Sequence, residues 1–149
     1  MKGILFKPES IKSILEGRKT QTRRLAGLKV INQKPYKWQF IGADTELPDY
    51  FVFRATPEIK LLKPRYQVGE VVYIKEAWAT EERMDSKPPS FLDKAGDVPL
   101  WYRADYSPTT RAVGDKLDYV VRGRWRSPMM MPEWAARYFI EITGVRAER

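Results

Sequence analysis

The chain has 149 residues, 43% of them hydrophobic, a formal net charge of +8, and neither cysteine nor histidine. That length suits one domain, which would bury about 70% of the surface its unfolded chain exposes. The two missing residue types exclude disulfides, thiolate and imidazole metal ligands, and any Ser-His-Asp or Cys-His catalytic arrangement within the chain, so no cofactor is expected.

No run approaches the ~20 apolar residues of a membrane span. The N-terminal stretch Met1–Pro8 has an apolar run too short for a signal peptide, so the expectation is a cytoplasmic protein with no membrane partner. The charge is unevenly placed. Residues 1–37 hold ten Lys or Arg against two acids, Glu9 and Glu16, while residues 38–149 hold seventeen of each sign. The whole excess therefore sits in the first quarter of the chain, which points to an anionic partner, nucleic acid being the commonest large one.

In chain order, Lys2–Phe6 reads as a short strand. Pro8 suits the first turn of a helix whose apolar stripe is Ile11, Ile14 and Leu15, and Gly17 suits its left-handed end. Residues 25–49, punctuated by Pro35, Gly42 and Pro48, read as a long loop insertion. Tyr50–Arg54 alternates as a strand, and Pro57 and Pro64 bound an irregular piece. After a turn at Val68-Gly69-Glu70, Val71–Lys75 reads as a strand apolar on both faces. Residues 80–98, with Pro88, Pro89 and Gly96, read as a second surface insertion. Pro99–Arg103 is a predicted strand. The turn Val113-Gly114-Asp115 and the strand Leu117–Val121 repeat the earlier hairpin chemistry. Ala136–Ile142 alternates strictly, with Tyr138, Ile140 and Ile142 on one face and Arg137, Phe139 and Glu141 on the other. Many strands with one or two helices predict an α+β, mostly β, single-domain fold: a small, mainly antiparallel β-barrel with one or two short helices packed on it.

The chemistry-bearing residues concentrate in Gly17-Arg18-Lys19-Thr20-Gln21-Thr22-Arg23-Arg24. Arginines grip phosphate bidentately, a lysine supplies a point charge, and the two threonine hydroxyls donate to phosphate or to base edges. Lys19 beside Thr22 also offers a base and a nucleophile that need neither histidine nor metal. Of the aromatic residues, Trp125, set between Arg124 and Arg126, is the best stacking candidate, and Trp78 is a second. Glu76, directly after the buried strand, suits either orientation of a lysine or a salt bridge to Lys75 or an arginine. The run Met129–Met131 reads as irregular packing.

Four ordered segments resemble ASCH-domain proteins of the PUA-like superfamily. Ile14–Arg24 is similar to their opening signature, in which a glycine precedes lysine and threonine, then a second threonine and an arginine. Tyr66–Trp78 resembles the following turn, buried strand and Glu-x-Trp, with Glu70 where the family usually has aspartate. Trp101–Asp105 and Ser127–Ala135 resemble the long phage- and prophage-associated members, and Ile140–Arg146 resembles their late strand. The resemblance implies a PUA-like barrel that binds RNA, single-stranded nucleic acid or a nucleotide through Arg18, Lys19, Thr20, Thr22, Arg23 and Arg24, with Trp78, Arg124, Trp125 and Arg126 as further contacts. The alternative it implies is a metal-independent hydrolase. A small subset of the family cleaves the acetyl amide of N4-acetylcytidine through residues matching Lys19 and Thr22 with a later glutamate, for which Glu76 stands in here. Other members are associated with ribonuclease activity. A third reading is an accessory protein that contacts another protein.

Overall fold

A computed structural model describes residues 1–25, 27–93, 98–105, 108–109 and 121–147. In chain order the elements are β1 (Gly3–Leu5), α1 (Pro8–Leu15), α2 (Lys29–Gln33), β2 (Gln39–Ala43), β3 (Phe51–Ala55), β4 (Glu58–Leu62), β5 (Val71–Lys75), β6 (Trp78–Ala79), α3 (Pro89–Leu92), β7 (Leu100–Tyr102), β8 (Pro108–Thr109) and β9 (Phe139–Glu141), with short 3-10 turns between them. The fold is α+β with strands predominating, as the sequence pattern predicts. Among the described residues the strands form three three-stranded sheets, β1-β5-β9, β2-β3-β4 and β6-β7-β8, and close no barrel. The expected antiparallel pairing also has an exception: β1 runs parallel to β5, with Ile4 opposite Ile74. No described helix is long and apolar enough to cross a membrane.

The sequence reads as one domain; by its contacts the chain divides into two compact units, Met1–Thr20 with Val71–Ile140, and Gln21–Glu70 with Glu141–Arg149.

In the first unit β5 lies between its two neighbours in the sheet, and Val72, Tyr73 and Ile74 are buried. That burial explains the apolar character of both faces of this strand. Helix α1 begins with Pro8, whose missing N–H would be unpaired there in any case. It buries Ile11 fully, while Leu15 at the end of the predicted stripe is exposed. A second cluster gathers Trp78, Leu92, Tyr102, Met131 and Ala135. Leu92 comes from the stretch 80–98 that reads as a surface insertion. Instead, Thr80 and Glu81 are buried, Glu82–Met84 makes a 3-10 turn, and α3 inserts Leu92 into the core. The segment Val121–Arg126 runs antiparallel beside Trp78–Glu82, with Gly123 N donating to Thr80 O at 2.8 Å and Arg126 N to Trp78 O at 2.7 Å. The predicted turn at Val113–Asp115 and strand Leu117–Val121 lie outside the described residues, apart from Val121.

In the second unit the stretch 25–49 is not a loop. It supplies α2, a 3-10 turn at Pro35–Lys37, and β2. Its Ile31 and Trp38 pack with Phe53, flanked by Leu28, Phe51, Ala55, Leu62 and Ala147. The piece bounded by Pro57 and Pro64 is strand β4. It pairs antiparallel with β3 from Phe51–Leu62 to Ala55–Glu58, leaving Thr56-Pro57, joined by a cis peptide, as the tight connection. Phe40 of β2 meets Phe51 edge to face and Phe53 at a tilt, at 5.7 and 5.3 Å between ring centroids. The returning chain pairs with the turn before β5: Gly69 N donates to Ile142 O at 2.8 Å, and Ile142 N to Glu70 O at 2.9 Å.

The strand expected over Ala136–Ile142 shortens to Phe139–Glu141, because Glu133–Ala135 forms a 3-10 turn and Arg137 turns inward.

Candidate nucleic-acid interface

The basic segment starts where α1 stops. Gly17 takes the left-handed conformation (φ 70°) that ends a helix at least cost without a Cβ. Gly17 N donates to Ile14 O at 3.0 Å, and Lys19 N reaches back to Ser13 O at 2.9 Å, so two of the helix's last carbonyls are satisfied. The chain that leaves this end is open to solvent: Lys19 is half-buried, and Thr20, Gln21, Thr22, Arg23 and Arg24 are exposed. Arg18 folds back onto Glu16, its guanidinium donating to that carboxylate, which removes part of its charge from the expected phosphate set. Gly17–Thr20 belong to the first unit and Gln21–Arg24 to the second. Lys19 and Thr22 are therefore carried by different units. Within the second unit, Gln21 Oε1 accepts from Arg146 at 3.2 Å.

Of the roles open to Glu76, the structure shows the salt bridge. Its side chain is 1% exposed, and Arg137 binds both oxygens, Nε to Oε1 at 2.8 Å and NH2 to Oε2 at 3.0 Å. The third guanidinium nitrogen donates to Asp105 at 2.5 Å. Arg137 also lies over the rings of Tyr102 and Tyr138, at 4.1 and 4.7 Å from their centroids. Burial disfavours the charge on Arg137, but its hydrogen bonds to Glu76 and Asp105 outweigh that and hold the guanidinium above its ordinary pKa. This is the salt bridge to an arginine that the sequence allows. The neighbouring Lys75 points elsewhere, to Met129 O at 3.1 Å.

The aromatic candidates separate. Trp78 is fully buried and meets Trp134 edge to face at 5.8 Å, so it is core and cannot stack on a base. Trp125 is half-buried, with the Arg122 guanidinium 4.4 Å from its ring centroid. Arg124 is held by Asp85, its N–H reaching Oδ2 at 2.9 Å and its guanidinium reaching Asp85 O at 2.9 Å. Arg126 faces inward. It donates to Lys87 O at 2.9 Å and Met84 O at 2.6 Å, and it lies 5.4 Å from the ring of Trp78. Burial, with Arg124 adding to it and Asp85 opposing, lowers its pKa from the ordinary value. It clamps the 82–87 turn.

Four residues that the sequence reading passed over organise this region: Asp85, Asp105, Arg122 and Arg137. The strict alternation at 136–142 put Arg137 on the outer face of a strand, which hid it. Comparison with known proteins finds no family model, no curated protein and no solved structure that matches the chain.

Proposed function

We propose that this chain is a PUA-like, ASCH-type module that binds RNA or another single-stranded nucleic acid through the segment Gly17–Arg24. The observation that carries the reading is that the full net charge of +8 lies in residues 1–37, around a segment whose Thr20, Thr22, Arg23 and Arg24 are all exposed. Phosphates are received by Lys19, Arg23 and Arg24, and the threonine hydroxyls donate alongside them. Trp125, with a guanidinium already against its ring, offers a separate stacking surface within the first unit.

Binding is preferred to hydrolysis. A hydrolase working through Lys19 and Thr22 needs an acid that can reach them, and both oxygens of Glu76 are engaged by Arg137. The test is titration of a short RNA across a range of salt. Log affinity falls linearly with log salt, with a slope of roughly −0.7 per phosphate neutralised. No binding at low salt ends the reading. Turnover of N4-acetylcytidine by the wild type, abolished by Lys19→Ala and by Thr22→Ala, would replace it with the hydrolytic one.

A further inference from the structure

Two buried hydrogen-bond donors in the first unit belong to residues paired across one rung of a ladder. Trp78 is 0% exposed. Its indole Nε1–H and the Nε–H of Arg126 are both shut away from solvent, and neither has an acceptor among the described residues. The two residues are paired through their backbones, Arg126 N donating to Trp78 O at 2.7 Å, and the guanidinium carbon lies 5.4 Å from the indole ring. Two orphaned donors on directly paired residues are not a random pair of defects. Each buried polar hydrogen left unbonded is costly, and buried groups of this kind are satisfied by protein, by ordered water or by an ion.

We infer that one small acceptor, a water molecule or a monatomic anion, is bound between Trp78 Nε1 and Arg126 Nε as an integral part of the first unit. The surroundings suit an acceptor. Among the described residues every protein group that Arg126 grips is neutral: the carbonyls of Lys87 and Met84, and the Thr80 hydroxyl at a long 3.5 Å. Asp85 acts on the guanidinium without touching it and Arg124 repels it, so this half-buried cation is short of contacting negative charge. A water would accept both donors and spend its own hydrogens on neighbours such as the buried Thr80 hydroxyl. A halide would accept both and supply the missing charge.

The test is a high-resolution crystal structure of the full chain, grown with chloride and again with bromide. The expected result is one spherical density peak within hydrogen-bond distance of both Nε1 and Nε. A peak with no anomalous bromide signal identifies water. A bromide signal identifies the anion, provided the melting temperature of the wild type also rises saturably with halide at constant ionic strength while that of Arg126→Lys does not. In solution, the indole proton of Trp78, assigned by its loss in Trp78→Phe, should give a cross-peak to a long-lived water or shift with halide. No peak in the crystal, a protein oxygen found in that position, or an indole proton that shows neither response overturns the proposal.

Discussion

The guanidinium of Arg137 and the carboxylate of Glu76 meet through two parallel hydrogen bonds, 2.8 and 3.0 Å long, with the acid 1% and the arginine 12% exposed. The pair joins the residue after β5 to the turn before β9, and Asp105 extends it to the end of β7. Removing one member leaves the other charge buried without its partner, which costs about 3–5 kcal/mol. Glu76→Gln and Arg137→Met should each lose stability on that scale in urea unfolding. The double variant should lose clearly less than the two single losses combined, a coupling that a double-mutant cycle reads directly. Strict additivity would mean that the two side chains do not depend on each other.

The same pair fixes an alkaline prediction. The folded state holds the Arg137 pKa above its ordinary value. A group raised in this way contributes stability that is fully present below its unfolded pKa and is lost only as pH rises through the folded one. For an arginine both lie far above the neutral range. The stability gap between wild type and Arg137→Met should therefore stay constant from about pH 7 to pH 10. Arg137→Lys, which cannot make the two-bond grip and titrates near pH 10.4 in water, should show a gap that begins to widen only above about pH 10.4, where the lysine of the unfolded chain loses its proton. Thermal unfolding at stepped pH distinguishes the two.

How much of this was legible follows from what each residue's neighbours are. Pro8, Ile11 and Gly17 specify α1 by local rules alone, and the structure follows them. Val71–Lys75 is apolar on both faces because both faces are covered, so its bounds were readable too. The stretch 25–49 was not readable. α2 is a five-residue helix, too short to show a period, and the register of β2 shifts between Phe40 and Gly42, which breaks the alternation that marks a strand. The site divides in the same way. Exposure of Thr20–Arg24 agrees with a solvated basic segment, whereas a catalytic part for Glu76 and ligand contact for Trp78 and Arg126 depended on which partner each meets. Those partners are Arg137, Trp134 and the carbonyls of 84 and 87, distant in sequence by dozens of residues.

Gly123 is a third test, this time of shape. A Cβ at this position would run into the carboxylate of Asp85, which sits over the Gly123 backbone and accepts the N–H of Arg124 at 2.9 Å. Gly123→Ala should displace that carboxylate and cost about 1–3 kcal/mol, from the lost hydrogen bond and the strain together. Asp85→Ala removes the obstacle. In its background the added methyl should cost distinctly less, so the pair should be non-additive. Equal costs in both backgrounds would place the strain somewhere other than Asp85.

The proposed interface makes a prediction in which charge and stacking separate. Arg23 and Arg24 are exposed, so Arg23→Ala and Arg24→Ala should leave the unfolding transition nearly unmoved while weakening RNA binding. Each should also flatten the salt dependence by roughly 0.7 in slope if it meets one phosphate. A base stacked on Trp125 would neutralise no phosphate, so Trp125→Ala should cost about 1–3 kcal/mol of affinity with the salt slope unchanged. Trp78 lies in the core, so Trp78→Ala should lower stability by about 3–5 kcal/mol. Under conditions where that variant stays folded, its affinity for RNA should match the wild type. Fluorescence titration at several salt concentrations, beside urea unfolding of the same four variants, reads both axes at once. A salt slope unaffected by either arginine would remove Gly17–Arg24 from the interface, and an affinity that falls with Trp78 in the folded protein would return that residue to it.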